Sequence, residues 1–122
     1  MTMFGKYLLP VLAAGAAAAA TPALAHHSFA MFDQTKLLQL AGATVTRFEW
    51  TNPHSFVIAK SGDVVYTLEC SSPNLMSHQG WKFNSIKPGD QISIAYYPLR
   101  NGQPGGMLKT VTLPTGKTVS AW

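Results

Sequence analysis

The sequence Trp50-Thr51-Asn52-Pro53-His54-Ser55-Phe56 lies between two extended stretches and predicts a turn followed by a strand. Proline fixes its own φ and keeps the residue before it out of the helical region, so Asn52-Pro53 is typical of a turn. In the strand that follows, His54 shares a face with Phe56 and Ile58. We therefore expect His54 at the first position of this strand, with its imidazole at the rim of a sheet.

The segments on either side of this turn predict further strands and one short helix. Residues 37–50 form a long β-rich stretch, and Gly42 within it indicates a bend or bulge that lets one strand serve two halves of a curled sheet. A turn at 61–63 leads into a third strand that ends at Cys70. The helix is predicted over 72–80, because it has an N-cap serine, proline at the first helical position and glycine at its end.

The second half of the chain predicts two more strands and a tail. The strands are expected at 91–97 and 107–113, joined by a glycine- and proline-rich loop at 98–106, and the tail is expected at 117–122. Trp81 and Phe83 are expected to fold back over the core. The order of three strands, one helix and two more strands predicts an all-β, five-stranded Greek-key barrel of the oligomer-binding (OB) type. In this fold the helix lies between strands 3 and 4. A β-sandwich is the alternative, since both folds bury one face of each strand.

The first 25 residues have the features of a secretory signal peptide. Lys6 precedes an apolar run at 8–20, and Ala23-Leu24-Ala25 has the small-x-small form of a cleavage site. The run is too short and too alanine-rich to favour a transmembrane helix. We therefore predict two regions, a signal peptide at 1–25 and a single small domain at 26–122 that is located in the periplasm.

Composition excludes several classes of function. The formal net charge is +4, and it falls by one when the leader that carries Lys6 is removed. The basic residues are scattered along the rest of the chain. No basic run indicates nucleic-acid binding. Cys70 is the only cysteine, so no internal disulfide is possible. Its predicted strand face, shared with Tyr66 and Leu68, favours a buried apolar role over a nucleophilic one, and no catalytic constellation indicates an enzyme.

The histidines predict a metal site. Cleavage after Ala25 would expose the α-amine of His26 beside its own imidazole, and both nitrogens can chelate one ion. His54 is the expected third ligand, with His27 as the alternative. Nitrogen ligands of this kind suit Cu(II) best, and Zn(II) less well. Asp33 or Glu69 is expected to hydrogen-bond a ligating ring from the second shell.

Two other classes of function remain open. A non-metal interaction domain would bind a peptide, a glycan or a partner protein on the barrel face or the 98–106 loop. An oxidative enzyme with an N-terminal histidine copper site is less favoured, because so small a domain offers little substrate surface.

His78, near the end of the predicted helix, is most simply a favourable charge at a helix C-terminus.

The chain after the leader resembles the family called domain of unknown function 6152, which consists of small exported bacterial proteins. The motifs that carry the resemblance are His26-His27-Ser28-Phe29-Ala30-Met31-Phe32-Asp33, Phe48-Glu49-Trp50-Thr51-Asn52-Pro53-His54, Ser72-Pro73-Asn74, Gly80-Trp81, Lys87-Pro88-Gly89-Asp90 and the loop Pro98-Leu99-Arg100-Asn101-Gly102-Gln103-Pro104-Gly105-Gly106. This chain differs in having Cys70 where a small residue is usual and Asn101 where aspartate is common. The resemblance implies export and one β domain, and it implies no reaction.

Overall fold

A computed structural model describes residues 29–122 of the protein. The predicted signal peptide at 1–25 and the predicted ligands His26 and His27 lie outside the described residues and stay predictions. A single 3-10 turn at Phe29–Met31 comes first. It is followed by the strands and helix β1 Leu38–Glu49, β2 Phe56–Ser61, β3 Val64–Glu69, α1 Pro73–His78, β4 Gln91–Pro98, β5 Gly105–Thr112 and β6 Thr118–Ser120.

The first five strands form a closed barrel. Hydrogen-bonded neighbours follow the order β3-β2-β1-β4-β5-β6, and β3 also pairs with β5. The β3–β5 pairing is parallel, with Thr67 opposite Gly105 and Glu69 opposite Met107, whereas the other pairs are antiparallel. This closure confirms the predicted five-stranded OB-like barrel and excludes the sandwich. β6 is an extra strand on the outer side of β5.

The long first strand serves two halves of the barrel, as predicted. Its first part pairs with β4 from Leu38 to Thr44, and its second part pairs with β2 from Thr44 to Glu49. The register with β4 shifts between Leu40 and Ala43, where Gly42 has a φ of +69°. Glycine adopts this left-handed conformation without a Cβ penalty, so the bulge lies at the residue that the sequence indicated.

The helix lies at the end of the barrel where β3 finishes and β4 begins, which we call the helix end. The Ser72 side chain accepts a hydrogen bond from the Leu75 N–H at 3.3 Å, which confirms the predicted N-cap. α1 buries Met76, and Trp81 packs beside it with only 2% of its surface exposed. Within residues 29–122, no helix is long and apolar enough to cross a membrane.

The prediction that Phe83 covers the core is wrong. Its side chain is 71% exposed, whereas Ile86, three residues later, is buried. The backbone turns between the two, because the Ser85 N–H donates to the Lys82 carbonyl at 3.0 Å and the Ser85 hydroxyl accepts from the Lys82 N–H at 2.7 Å. This tight turn directs the Phe83 side chain away from the barrel.

The barrel interior is filled by one face of each strand. Val57, Leu68 and Leu108 have no exposed surface, and Ile92 and Ile94 follow the alternation predicted for β4. Cys70 is also completely buried in this core, as its strand parity predicted. At the opposite end from the helix, Tyr66 and Tyr96 lie edge to face with their ring centroids 6.0 Å apart. We call this second end the open end.

Candidate functional site

His54 lies in the loop that joins β1 to β2, two residues before β2 begins. The prediction that it occupies the first strand position is therefore wrong by two residues. The Thr51 hydroxyl donates to the His54 carbonyl at 2.8 Å, and the Asn52-Pro53 peptide bond is cis. The hydrogen bond closes a turn over residues 51–54, and the ladder with β3 starts with Phe56. The imidazole is still at a rim, with 26% of the side chain exposed.

Glu69 is the residue that the barrel brings to His54. It is the last residue of β3, and it pairs with Phe56 on one side and Met107 on the other. Its neighbour Leu68 is buried in the interior, so the Glu69 side chain extends from the opposite face of the strand. The side chain is nevertheless only 8% exposed.

The His54 imidazole and the Glu69 carboxylate form a close pair. His54 Nδ1 and Glu69 Oε1 are 2.6 Å apart, and both atoms are buried. The contact falls short of an aligned hydrogen bond, so we describe it as an electrostatic pair. Glu69 was one of the two carboxylates predicted to orient a histidine, and the structure places it against His54. This pairing depends on the barrel register, because the two residues are on different elements.

Aromatic rings from both ends of the described chain cover this pair. The Trp122 ring lies 5.6 Å from the His54 ring, and its Nε1–H donates to the Glu69 carbonyl at 3.3 Å. Phe29 in turn meets Trp122 edge to face, with ring centroids 5.3 Å apart. The tail is held in place by the Ser71 hydroxyl, which donates to the Ala121 carbonyl at 2.8 Å. The sequence predicts only a short edge segment or tail at 117–122, and no local motif marks Trp122.

The pair has a feature that is common beside metal-bound histidines. A carboxylate next to one ring nitrogen fixes the orientation of an imidazole whose other nitrogen can bind an ion. Burial strengthens the interaction, because the surroundings screen charge less than water does. Within residues 29–122, no group of three histidine, cysteine, aspartate or glutamate side chains is placed to hold a metal ion. A complete site would therefore need donors from the residues before Phe29.

The other predicted polar residues have different surroundings. The carboxylate of Asp33 accepts hydrogen bonds from the Thr35 hydroxyl at 2.6 Å and the Thr35 N–H at 3.1 Å, and these bonds lower the pKa of Asp33. Its contact with a ligating histidine stays a prediction, since His26 and His27 lie outside the described residues. His78 is the exposed last residue of α1, which agrees with its interpretation as a helix C-terminal charge.

Burial makes the Cys70 thiol unreactive. Desolvation raises its pKa far above the usual range, because the interior disfavours the thiolate, which is the reactive form. We expect Ellman's reagent to leave the folded protein unmodified over hours and to react promptly once urea unfolds the chain. The absorbance of the thiolate that the reagent releases would follow the reaction. Fast reaction of the native protein would contradict the buried role.

Comparison with known proteins places the chain in a family. The model of the family of unknown function DUF6152 matches residues 14–109. No curated protein and no solved structure matches the chain. The family match begins within the predicted leader and extends through β1 to β4 into β5, so it includes both His54 and Glu69. Because it covers well over half of the sequence, the chain belongs to the family of unknown function DUF6152.

Proposed function

We propose that this protein is an exported, periplasmic metal-binding module that prefers copper. The observation that carries the proposal is the close pair of His54 and Glu69, in which a buried carboxylate lies 2.6 Å from one imidazole nitrogen. His54 would bind the ion through Nε2, the nitrogen on the far side of the ring. Export is supported by the leader-like sequence at 1–25.

The short distance in sequence between His26, His27 and Phe29 supports the two histidines as the remaining ligands. Phe29 contacts Trp122, and Trp122 contacts His54, so the described chain begins one aromatic ring away from the proposed ligand. A chain spans at most about 3.3–3.6 Å per residue, which limits His26 to within roughly 11 Å of Phe29 measured between Cα atoms. This length of chain permits nitrogen donors at positions 26 and 27 to reach the His54 ring.

The donor set supports copper over other first-row ions. An α-amine and two imidazoles are nitrogen ligands, which bind Cu(II) more strongly than the other divalent ions of the series, including Zn(II). Bound copper would supply a cation that can change between two oxidation states. The residues of this chain would hold that ion: Glu69 orients His54, and the rings of Trp122 and Phe29 restrict the access of water to the pair.

His54→Ala tests the proposal most directly. We expect the wild-type protein, with His26 confirmed as its first residue by intact mass, to bind one Cu(II) with a nitrogen-rich electron paramagnetic resonance spectrum. Removal of His54 takes away one nitrogen ligand, so the spectrum changes and affinity falls by at least about 100-fold. Glu69→Gln keeps the shape but removes the charge, and we expect roughly a 10- to 100-fold loss of affinity.

His78→Ala is the matched control, because it removes an exposed imidazole from the end of α1 and leaves the pair intact. This control is expected to bind copper like the wild type. A protein with one extra residue before His26 is expected to lose the chelate, because its amine is displaced. If His54→Ala retains the wild-type spectrum and affinity, His54 is not a ligand and the proposed site is wrong.

A further inference from the structure

We infer that the open end of the barrel is a binding site for a small aromatic carboxylate, in a cavity that is separate from the proposed metal site. The cavity, which we call the mouth cavity, has a volume of about 620 Å³. Its lining comes from the segment before β1, the starts of β1, β3 and β5, the end of β4 and the loop between β4 and β5. Volumes of this size are typical of small-molecule sites, which commonly occupy the mouths of β-barrels.

The aromatic lining of the mouth cavity favours a flat apolar group. Tyr66 and Tyr96 both line it and form an edge-to-face pair with an interplanar angle of 64°. Tyr96 is 5% exposed and Tyr66 is half-buried, so Tyr66 offers the more accessible ring. Leu38 and Val64 add apolar walls, and both are unusually exposed for their type, at 42% and 40%. An aromatic ring placed here would extend the tyrosine pair and cover these side chains.

The charged lining favours an anion. Lys36, Arg100 and Asp33 are the charged residues of the cavity lining, which gives it a formal charge of one positive unit. The Asp33 carboxylate already accepts two hydrogen bonds from Thr35 and lies 3.9 Å from the Lys36 ammonium. Arg100 is anchored by its Nε–H, which donates to the Ala30 carbonyl at 2.9 Å, so its guanidinium is held beside the cavity. A guanidinium in a fixed position suits the planar carboxylate group.

The mouth cavity shares no lining residue with the proposed metal site, since His54, Glu69 and Trp122 do not line it. β1 and β4 are antiparallel, so the start of β1 and the end of β4 meet at the open end, whereas the loop carrying His54 follows the end of β1. Binding at the mouth therefore requires no metal. The failure of either proposal leaves the other intact.

Nuclear magnetic resonance titration with 2-naphthoate tests the inference on metal-free protein kept in a chelator. We expect saturable amide shifts at Tyr66, Tyr96 and Gly105, with a dissociation constant of about 1 mM or lower. The neutral analogue 2-naphthamide has the same ring system without the charge and is expected to bind at least about fivefold more weakly. The cationic analogue 2-naphthylmethylamine is expected to be weaker still, because Lys36 and Arg100 repel it.

Charge-removing variants assign the anion contacts. Lys36→Gln combined with Arg100→Gln is expected to weaken 2-naphthoate binding roughly tenfold, the effect of losing one charge-assisted hydrogen bond. Lys82→Gln is the matched control, since it removes an exposed cation at the helix end, and it is expected to bind like the wild type. Circular dichroism verifies that each variant is folded. Equal binding of the acid and the amide, shifts centred on the helix end, or no saturable shift up to about 10 mM overturns the inference.

Discussion

Gly106→Ala is expected to destabilise the barrel by at least about 3 kcal/mol, because it places a methyl group where two strands approach most closely. A Cβ at Gly106 would overlap the Tyr97 carbonyl oxygen and lie 3.0 Å from Pro98 Cα. Both contacts are with backbone atoms of β4, which cannot rotate away as a side chain can. Gly106 also pairs with Leu68 of β3, so the displacement would open the parallel closure of the barrel.

Urea unfolding followed by tryptophan fluorescence measures this effect as a change in the free energy of unfolding. Gly116→Ala is the matched control, because Gly116 has a φ of +87° and a Cβ there would have no neighbour within 4 Å. The control loses only the ease with which glycine adopts the left-handed conformation, which lowers the free energy of unfolding by about 1–2 kcal/mol. If Gly106→Ala is no more destabilising than Gly116→Ala, the close approach of β4 and β5 is not the reason that glycine occupies position 106.

Trp81→Ala is expected to lower the free energy of unfolding by about 3–5 kcal/mol, the usual effect of deleting a large buried aromatic side chain. The Trp81 side chain is buried at the helix end of the barrel, where its ring contacts Phe48 with centroids 5.7 Å apart. Its Nε1–H donates to the Ser120 carbonyl at 2.7 Å. Truncation therefore removes the ring packing and also takes away the donor that connects the core to β6.

Phe83→Ala is the comparison for this variant, since Phe83 is two residues away and also aromatic but is 71% exposed. We expect it to change stability by no more than about 0.5 kcal/mol. Thermal and urea unfolding of the two variants measure the difference. Similar losses for both variants would show that the Phe83 ring is packed as tightly as the Trp81 ring, which would contradict its exposed position.

The predicted elements agree closely with the structure where local chemistry defines them. The helix cap depends on Ser72 and Pro73, and the β1 bulge depends on Gly42, so both were visible as single residues in the sequence. The position of His54 was less accurate. The Thr51 hydrogen bond keeps it in the turn, and proline alone does not indicate where strand pairing resumes. Trp81 and Phe83 show the same limit, because the Lys82–Ser85 turn decides which ring packs inward.

The candidate site was predictable only in part. His54 and Glu69 were both selected for their chemistry, and the structure brings their side chains together. Their roles as ligand and second-shell partner stay predictions. Trp122 was missed as a cover for the pair, since its contact depends on β6 pairing with β5 and on Ser71 holding the tail. The mouth cavity was also missed. Its lining residues are far apart in sequence and meet only because the barrel closes.

The sequence by itself determined the local structure of this protein: the number and order of its main strands, the bend at Gly42, the capped helix and the burial of Cys70. These features follow from φ preferences, capping and the alternation of side chains, which act within a few residues. Only the tertiary structure decided that β3 meets β5 in parallel, that Glu69 lies against His54 and that Tyr66 lies against Tyr96. Such contacts depend on which strands become neighbours and in which register, and a one-residue shift in register reverses the face of every side chain.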